Sequence, residues 1–258
     1  ALAEVGLNEC ITWSFTASEH APLFGWTDEK LKLANPIISE LDVMRPSALI
    51  NLLMAAQRNA NRTFQSVALF EQGAIFTDVT PEGQHEVVAG IRTGIEHDKH
   101  WAGSGNQGEG RAVDAYDAKA DALVALEALG AATQGLQVMS PAPSWFHPGR
   151  SGMLCMGPKK VLAHFGELHP KVLKALDIKG RAVGFEVFID QVPAPKKKGI
   201  ARAKYSPSPF NPINRDFAFL VDEKVEAQAV LRAAKGGDKA LITDVSLFDV
   251  YRGQGVPE

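Results

Sequence analysis

Residues Leu33–Arg62, LANPIISELDVMRPSALINLLMAAQRNANR, decide how the rest of the chain is read. An extended lead-in turns through Arg45-Pro46-Ser47 into a helix, with Pro46 supplying the pre-set φ of a first helical turn. Leu49, Leu52, Leu53, Ala56 and Ala60 then recur at three-to-four-residue spacing, which makes one apolar face. The other face holds Asn51, Gln57, Arg58 and Asn61, while Asn59 and Arg62 flank the seam. A stripe edged by hydrogen-bonding groups wants cover, from the chain's own core or from a partner, and periodicity alone does not choose between them.

Upstream, Ala1–Gly6 reads as a last helical turn closed by glycine and Glu9–Phe15 as a strand. Downstream, Val67–Phe76 and Glu86–Thr93 are β-rich runs separated by Thr80-Pro81-Glu82-Gly83, so they form a hairpin and the sheet is at least partly antiparallel. Asp117–Leu129 is an alanine- and leucine-rich helix with Asp117 as its expected cap and Gly130 as its end. A second hairpin joins Gly152–Met156 to Val161–Phe165 through Gly157-Pro158. His169-Pro170 opens a short helix that stops by Gly180, and Ala182–Asp190 alternates Val183, Phe185, Val187 and Ile189 with Gly184, Glu186 and Phe188, the pattern of a half-buried strand. The lysine-rich, proline-bearing segment Val192–Tyr205 has no periodicity and reads as a linker. A β-α-β follows: Arg215–Val221, Ala227–Ala234 closed by Gly236-Gly237, and Leu241–Tyr251. Its alternation sets Ala218, Asp249 and Tyr251 on the face opposite the apolar residues, cleanly only from Phe248 onward.

With 258 residues and 45% hydrophobic content the chain can bury a real core, and a net charge of −3 gives no global basic footprint for nucleic acid. Any RNA contact must be local. Cys10 and Cys155 are far apart and form no C-x-x-C, so no disulfide is expected. No apolar run is long enough to span a bilayer and no leader pattern opens the chain, so neither membrane span nor signal peptide is expected, and the location implied is cytoplasmic. A literal G-x-G-x-x-G at Gly103, Gly105 and Gly108 lacks the preceding strand and following helix that give it meaning, so a flexible loop is the plainer reading. His97 and His100 have no zinc-type partners around them. His147 and Arg150 could pair on a phosphate, although no nucleophile or second base accompanies them and a hairpin-closing turn is the simpler account. Lys196–Lys198 reads as solvated linker, with a phosphate contact as the alternative.

The run A-N-P-I-x-S-E-L-D-V-M-R-P-S, then L-x-N-L-L-x-A-x-x-x-N-x-x-R, then A-L-F-E-x-G-x-I-F resembles the β-subunit family of bacterial phenylalanyl-tRNA synthetases. The resemblance continues through HPGRSG (147–152), HFGELHP (164–170) and RDFAFLVDE (215–223). It implies an α+β fold. Residues 1–191 would form a non-catalytic class II synthetase-like antiparallel sheet with flanking helices. Residues 192–205 would be a linker, and 206–258 an incomplete ferredoxin-like anticodon-binding domain whose family continues beyond this position. The family's amino-terminal parts would be missing as well, so the chain reads as an excised piece. A class II catalytic site needs one arginine on a hairpin strand for the ATP α-phosphate and another from a glycine-rich motif for the γ-phosphate. The hairpin carries no arginine between Arg62 and Arg92, and Gly184-Phe185-Glu186-Val187 has none before Arg202. The resemblance therefore implies no catalytic residues, no metal and no cofactor bound here, with ATP and magnesium held elsewhere in the holoenzyme. It also implies an α-subunit partner, a second β subunit in an (αβ)2 heterotetramer, and tRNA. The subunit contact would fall on Leu49, Leu52, Leu53, Ala56, Asn59 and Arg62, where the family builds an interchain helix bundle, and the anticodon contact on Ala218, Asp249 and Tyr251. A stacking tyrosine, an accepting carboxylate and a small residue suit splayed bases. Two competing readings are an ATP-binding enzyme in its own right and a free-standing RNA-binding or protein-interaction module.

Overall fold

The computed structural model describes residues 1–26, 29–64, 66–96, 110–194, 207–253 and 255. Its contacts divide the chain into two units, Ala1–Pro195 and Lys196–Glu258. In the first unit the strands are β1 (Asn8–Glu9), β2 (Phe15–Thr16), β3 (Val43–Met44), β4 (Ala68–Phe76), β5 (Gln84–Thr93), β6 (Gln137–Met139), β7 (Phe146–Met156), β8 (Lys160–Leu168) and β9 (Ala182–Phe188). Its helices are α1 (Leu49–Ala60), α2 (Ala115–Ala128) and α3 (Pro170–Ala175). Seven strands form one sheet in the order β1-β4-β5-β9-β8-β7-β6, while β2 and β3 pair separately. Every pairing is antiparallel except that of β1 with β4. Expected Glu9–Phe15 is thus two short strands with an irregular stretch between them, because Thr12 leaves the ladder to bond Glu71.

Strand alternation sorts the sheet into two covered faces. Leu69 and Ile75 of β4 and Val87, Ala89 and Ile91 of β5 lie in one cluster with Leu49, Leu52, Leu53 and Ala56 of α1. Val183, Phe185 and Val187 of β9 lie in the other with Ala118, Ala122, Ala125 and Leu126 of α2. β9 is therefore buried on both sides, not half-buried, since helices cover both faces of the sheet's centre. That arrangement drives Glu186, expected on a polar face, into the interior at 2% exposure.

The helix starts differ in chemistry from the expectation. Pro46 lies outside α1. Ser47 Oγ accepts from Leu49 N (3.2 Å) and donates to Glu186 Oε1 (3.0 Å), while Ala48 N donates to the same oxygen (3.0 Å). A carboxylate from a sheet strand thus satisfies donors that the helix leaves open. For α2 the cap is Asp114, with Asp117 completing a reciprocal capping box three residues later. His169 caps α3, its Nδ1 accepting from Lys171 N (3.1 Å).

In the second unit the described residues form one helix, α4 (Ala227–Gly236), and no paired strand. The expected strands Arg215–Val221 and Leu241–Tyr251 form no ladder among the described residues, Leu241 and Ile242 belonging to a turn on Asp238, and large apolar residues lie open, with Phe217 72% and Phe248 74% exposed. The G-x-G-x-x-G segment, His97, His100 and Lys196–Lys198 fall outside the described residues.

Candidate functional site

The face of the sheet under α1 is where charged side chains concentrate in the interior. β4 presents Leu69, Glu71, Gly73 and Ile75 to it, and β9 presents Ala182, Gly184, Glu186 and Phe188. Arg45, from the turn before α1, lies across β4 at 1% exposure. Its Nη1 donates to Glu71 Oε1 (3.0 Å) and Thr12 Oγ1 (3.0 Å), and its Nε to the Ala74 carbonyl (2.9 Å). Thr12 closes the cluster, donating from Oγ1 to Glu71 Oε2 (2.6 Å) and from N to Oε1 (3.2 Å). Gly73 makes the room, because a Cβ there would stand 2.6 Å from Arg45 Nη2. Both members of this ion pair are almost wholly buried, so each meets most of its hydrogen-bonding capacity inside the protein.

Glu186 and His164 are cross-strand neighbours on this same face. Burial pushes the Glu186 carboxyl up to about 7, against the opposing hydrogen bonds from Ala48 and Ser47 and the positive charge of Arg45. Burial pushes the His164 imidazole down to about 4, so the ring stays neutral near pH 7. It packs edge-on against Phe188 (4.9 Å) and Trp145 (6.4 Å), and neither its Nδ1 nor the Trp145 Nε1 meets a hydrogen-bond partner among the described residues.

The guanidiniums carried on or against the sheet strands are held by carboxylates: Arg45 by Glu71, Arg92 by Asp121 (2.7 and 2.9 Å), and Arg150 by Glu167 (2.6 and 3.0 Å). A triphosphate laid on the α1 face would meet the negative or neutral groups Glu71, Glu186 and His164 and no open arginine among these. The residues present do not fit that ligand.

Of the expected interface residues, Leu49, Leu52 and Leu53 are 0% exposed and Ala56 is 3% exposed within this chain's own core. They cover the sheet and are not available to a partner. The cover of the stripe is internal, and its bounds differ from the expectation: Ala60 is exposed, Ile50 is buried, and Asn51, expected on the open face, is buried with Nδ2 donating to the Trp13 and Phe15 carbonyls (2.9 and 3.0 Å). Asn59 is partly buried, with Nδ2 donating to the Ala55 carbonyl (2.9 Å), and Arg62 is exposed. Ala218, Asp249 and Tyr251 are all exposed, but without paired strands no sheet face brings them together. The interior charges Arg45, Glu71 and Glu186 were not singled out by sequence reading. The signal for them was Gly73 two residues beyond Glu71 and a lone carboxylate within the apolar run 183–188.

The family model described as "Phenylalanyl tRNA synthetase beta chain CLM domain" matches residues 1–189, and the "Ferredoxin-fold anticodon binding domain" model matches residues 208–258. The phenylalanine–tRNA ligase β subunit of Bartonella henselae is 47% identical over 261 residues, covering 100% of this chain and 32% of the relative. That of Rhodospirillum rubrum is 50% identical over 253 residues, covering 98% of this chain and 31% of the relative. The chain thus spans about a third of the length of these curated relatives. Among solved structures, a pyrrolysyl-tRNA synthetase of Desulfitobacterium hafniense superposes with a TM-score of 0.51 at 14% identity, over 74% of this chain and 62% of the other. That likeness is one of fold.

Proposed function

The chain belongs to the phenylalanyl-tRNA synthetase β-chain family, and from that premise we propose that it is part of the non-catalytic β subunit of phenylalanine–tRNA ligase. In this role it scaffolds the catalytic α chain within an (αβ)2 assembly in the cytoplasm and contributes to holding tRNA. The observation that carries the non-catalytic reading is the capture of Arg45. The guanidinium nearest the centre of the α1 face is sealed under the fold and neutralised by Glu71, and Arg92 on the neighbouring β5 is held by Asp121. ATP and magnesium then belong to the α chain. Asn59 and Arg62 at the outer end of α1 are the two expected interface residues not committed to the core, and the reading assigns them to the α contact. Ala218, Asp249 and Tyr251 are assigned to the anticodon, in a ferredoxin-like β-α-β whose helix is α4. Their exposure and the match of residues 208–258 to the anticodon-binding model support this assignment.

Isothermal titration of the chain with ATP and magnesium tests the central claim. No saturable heat is expected, and tight, magnesium-dependent binding would overturn the scaffold reading. Purification of the full-length protein should recover a stoichiometric α chain.

A further inference from the structure

Around α3 the surface carries a local charge opposite to that of the chain as a whole, which is −3. Two motifs that the proposed function leaves unused, HPGRSG (147–152) and HFGELHP (164–170), meet here at one end of the β7–β8 pair. Glu167, 7% exposed, holds Arg150 in a bidentate pair (2.6 and 3.0 Å) and stands 3.6 Å from Arg181 Nε. One buried carboxylate thus positions two half-exposed guanidiniums and cancels only one of them. Lys171 and Lys174 lie one turn apart on the open side of α3, whose other side buries Val172 and Leu173 in the core, and Lys179 follows in the turn. All three lysines are exposed, and none makes an ion pair among the described residues. Beside Lys174 lies a groove of about 510 Å³, lined by Lys174 and Arg181, by Glu167 and Asp177, and by the apolar Leu173 and Ile178. Five cations therefore stand against two carboxylates. The patch ends beyond Arg181, where Glu96, Asp114 and Asp117 surround Arg111.

The same surface adds imidazole donors. The rings of His147 and His169 are stacked, with centroids 6.5 Å apart and planes at 28°. Each Nδ1 accepts from a backbone N–H two residues on, Gly149 N and Lys171 N, both at 3.1 Å. An Nδ1 that accepts leaves the proton of the neutral ring on Nε2, so each ring offers an N–H donor there. Fixed guanidiniums, unpaired ammoniums and imidazole N–H groups are the chemistry of a phosphodiester backbone.

We propose that this α3 surface binds the phosphate backbone of tRNA, at a site separate from the anticodon residues and independent of base sequence. The proposal rests on the reading of the chain as a tRNA-holding subunit. Charge complementarity favours RNA over an acidic protein, since consecutive phosphates match several cations spread over one surface around α3.

The test uses the full-length β chain in complex with its α chain, in which Lys171, Lys174 and Lys179 are replaced together by Gln. These lysines support nothing inside the fold, so assembly and ATP–pyrophosphate exchange should be unchanged. Three lost phosphate contacts should make the slope of log affinity for tRNA against log salt shallower by about 2 to 3. Between 50 and 200 mM salt the wild type should accordingly lose roughly 20- to 40-fold more affinity than the variant. A tRNA with a replaced anticodon should show the same difference, because phosphate contacts are blind to sequence. An unchanged slope with normal wild-type binding overturns the proposal and leaves the subunit reading standing. Weakened association with the α chain at unchanged tRNA affinity overturns it in favour of a protein contact. A wild-type complex that does not bind tRNA overturns both. The single charge reversal Lys174→Glu gives a second measurement, and should steepen the loss beyond that of Lys174→Gln.

Discussion

At the scale of single residues, the α1 face is governed by how buried charge is compensated. Arg45 and Glu71 are both removed from water, so their attraction must offset two desolvation costs, and the pair holds because Thr12 and the Ala74 carbonyl take up the remaining valences. Replacing Arg45 by Met leaves Glu71 buried and unpaired, which should cost about 3 to 5 kcal/mol in urea unfolding. The double variant Arg45→Met with Glu71→Leu should recover much of that loss, because neither charge remains to be desolvated. A single variant as stable as the wild type would show that the pair is not held as described. Glu186 and His164 make the stability of this face depend on pH in opposite senses. Glu186 titrates near 7 in the fold and near 4.5 unfolded, so the folded chain holds its proton more tightly. Its contribution is full below 4.5 and is lost as pH rises to 7, by roughly 1 kcal/mol per pH unit. His164 titrates near 4 in the fold against 6.5 unfolded, so its contribution is present above 6.5 and is lost as pH falls towards 4. Urea midpoints measured from pH 4 to 8 separate the two. Glu186→Gln should remove the decline between 4.5 and 7, and His164→Gln should reduce the acid-side loss.

At the scale of elements, α1 teaches why an apolar stripe does not name its partner. Leu49, Leu52, Leu53 and Ala56 have the spacing of an interchain helix, but here they cover β4 and β5, whose inward positions Leu69, Ile75, Val87, Ala89 and Ile91 need that cover. Leu52→Asp or Leu53→Asp should therefore abolish cooperative unfolding of the chain itself, a loss that circular dichroism reads without any partner present. Arg62→Glu, on the exposed end, should leave stability within about 0.5 kcal/mol and weaken association with the α chain. If Arg62→Glu leaves that association unchanged, α1 is not part of the contact. The hairpin β4–β5, the hairpin β7–β8 and helices α1 to α3 were legible from turn residues and period, because those are local signals. What was not legible is what depends on the second covered face. Alternation in 182–188 put Glu186 on a polar side, and only the packing of α1 on that side makes it interior. The cap of α2 was misplaced by three residues for a related reason, since a capping box contains two acidic residues and the sequence does not say which one stands at the start. Arg45 was invisible as a buried group because its partner Glu71 lies 26 residues away.

At the scale of the whole chain, the two units contrast in how they treat apolar surface. Ala1–Pro195 buries both faces of its sheet, whereas the described residues of the second unit leave Phe217, Phe219, Leu220, Phe248 and Val250 more than half exposed. α4 has an apolar side of its own, yet it buries no residue within its unit. Exposed alternating runs such as 215–221 and 243–250 form no ladder among the described residues, and such runs take up strand partners when these are supplied. The relatives are about three times as long as this chain, so chain capable of supplying such partners exists in the family. The ferredoxin-like fold proposed for this unit would pair the two runs through an intervening strand, bury the five apolar side chains against helices, and set Ala218, Asp249 and Tyr251 on the uncovered face. Hydrogen exchange decides between that picture and a self-sufficient unit. In this 258-residue chain the amides of 215–221 and 241–251 should exchange far faster than those of 182–188, which sit at the centre of the large sheet. In the full-length protein the same amides should gain protection, and affinity for the anticodon should appear with it. Protection in the short chain equal to that of β9 would mean that the unit closes on itself, and that its exposed residues are not waiting for strand partners.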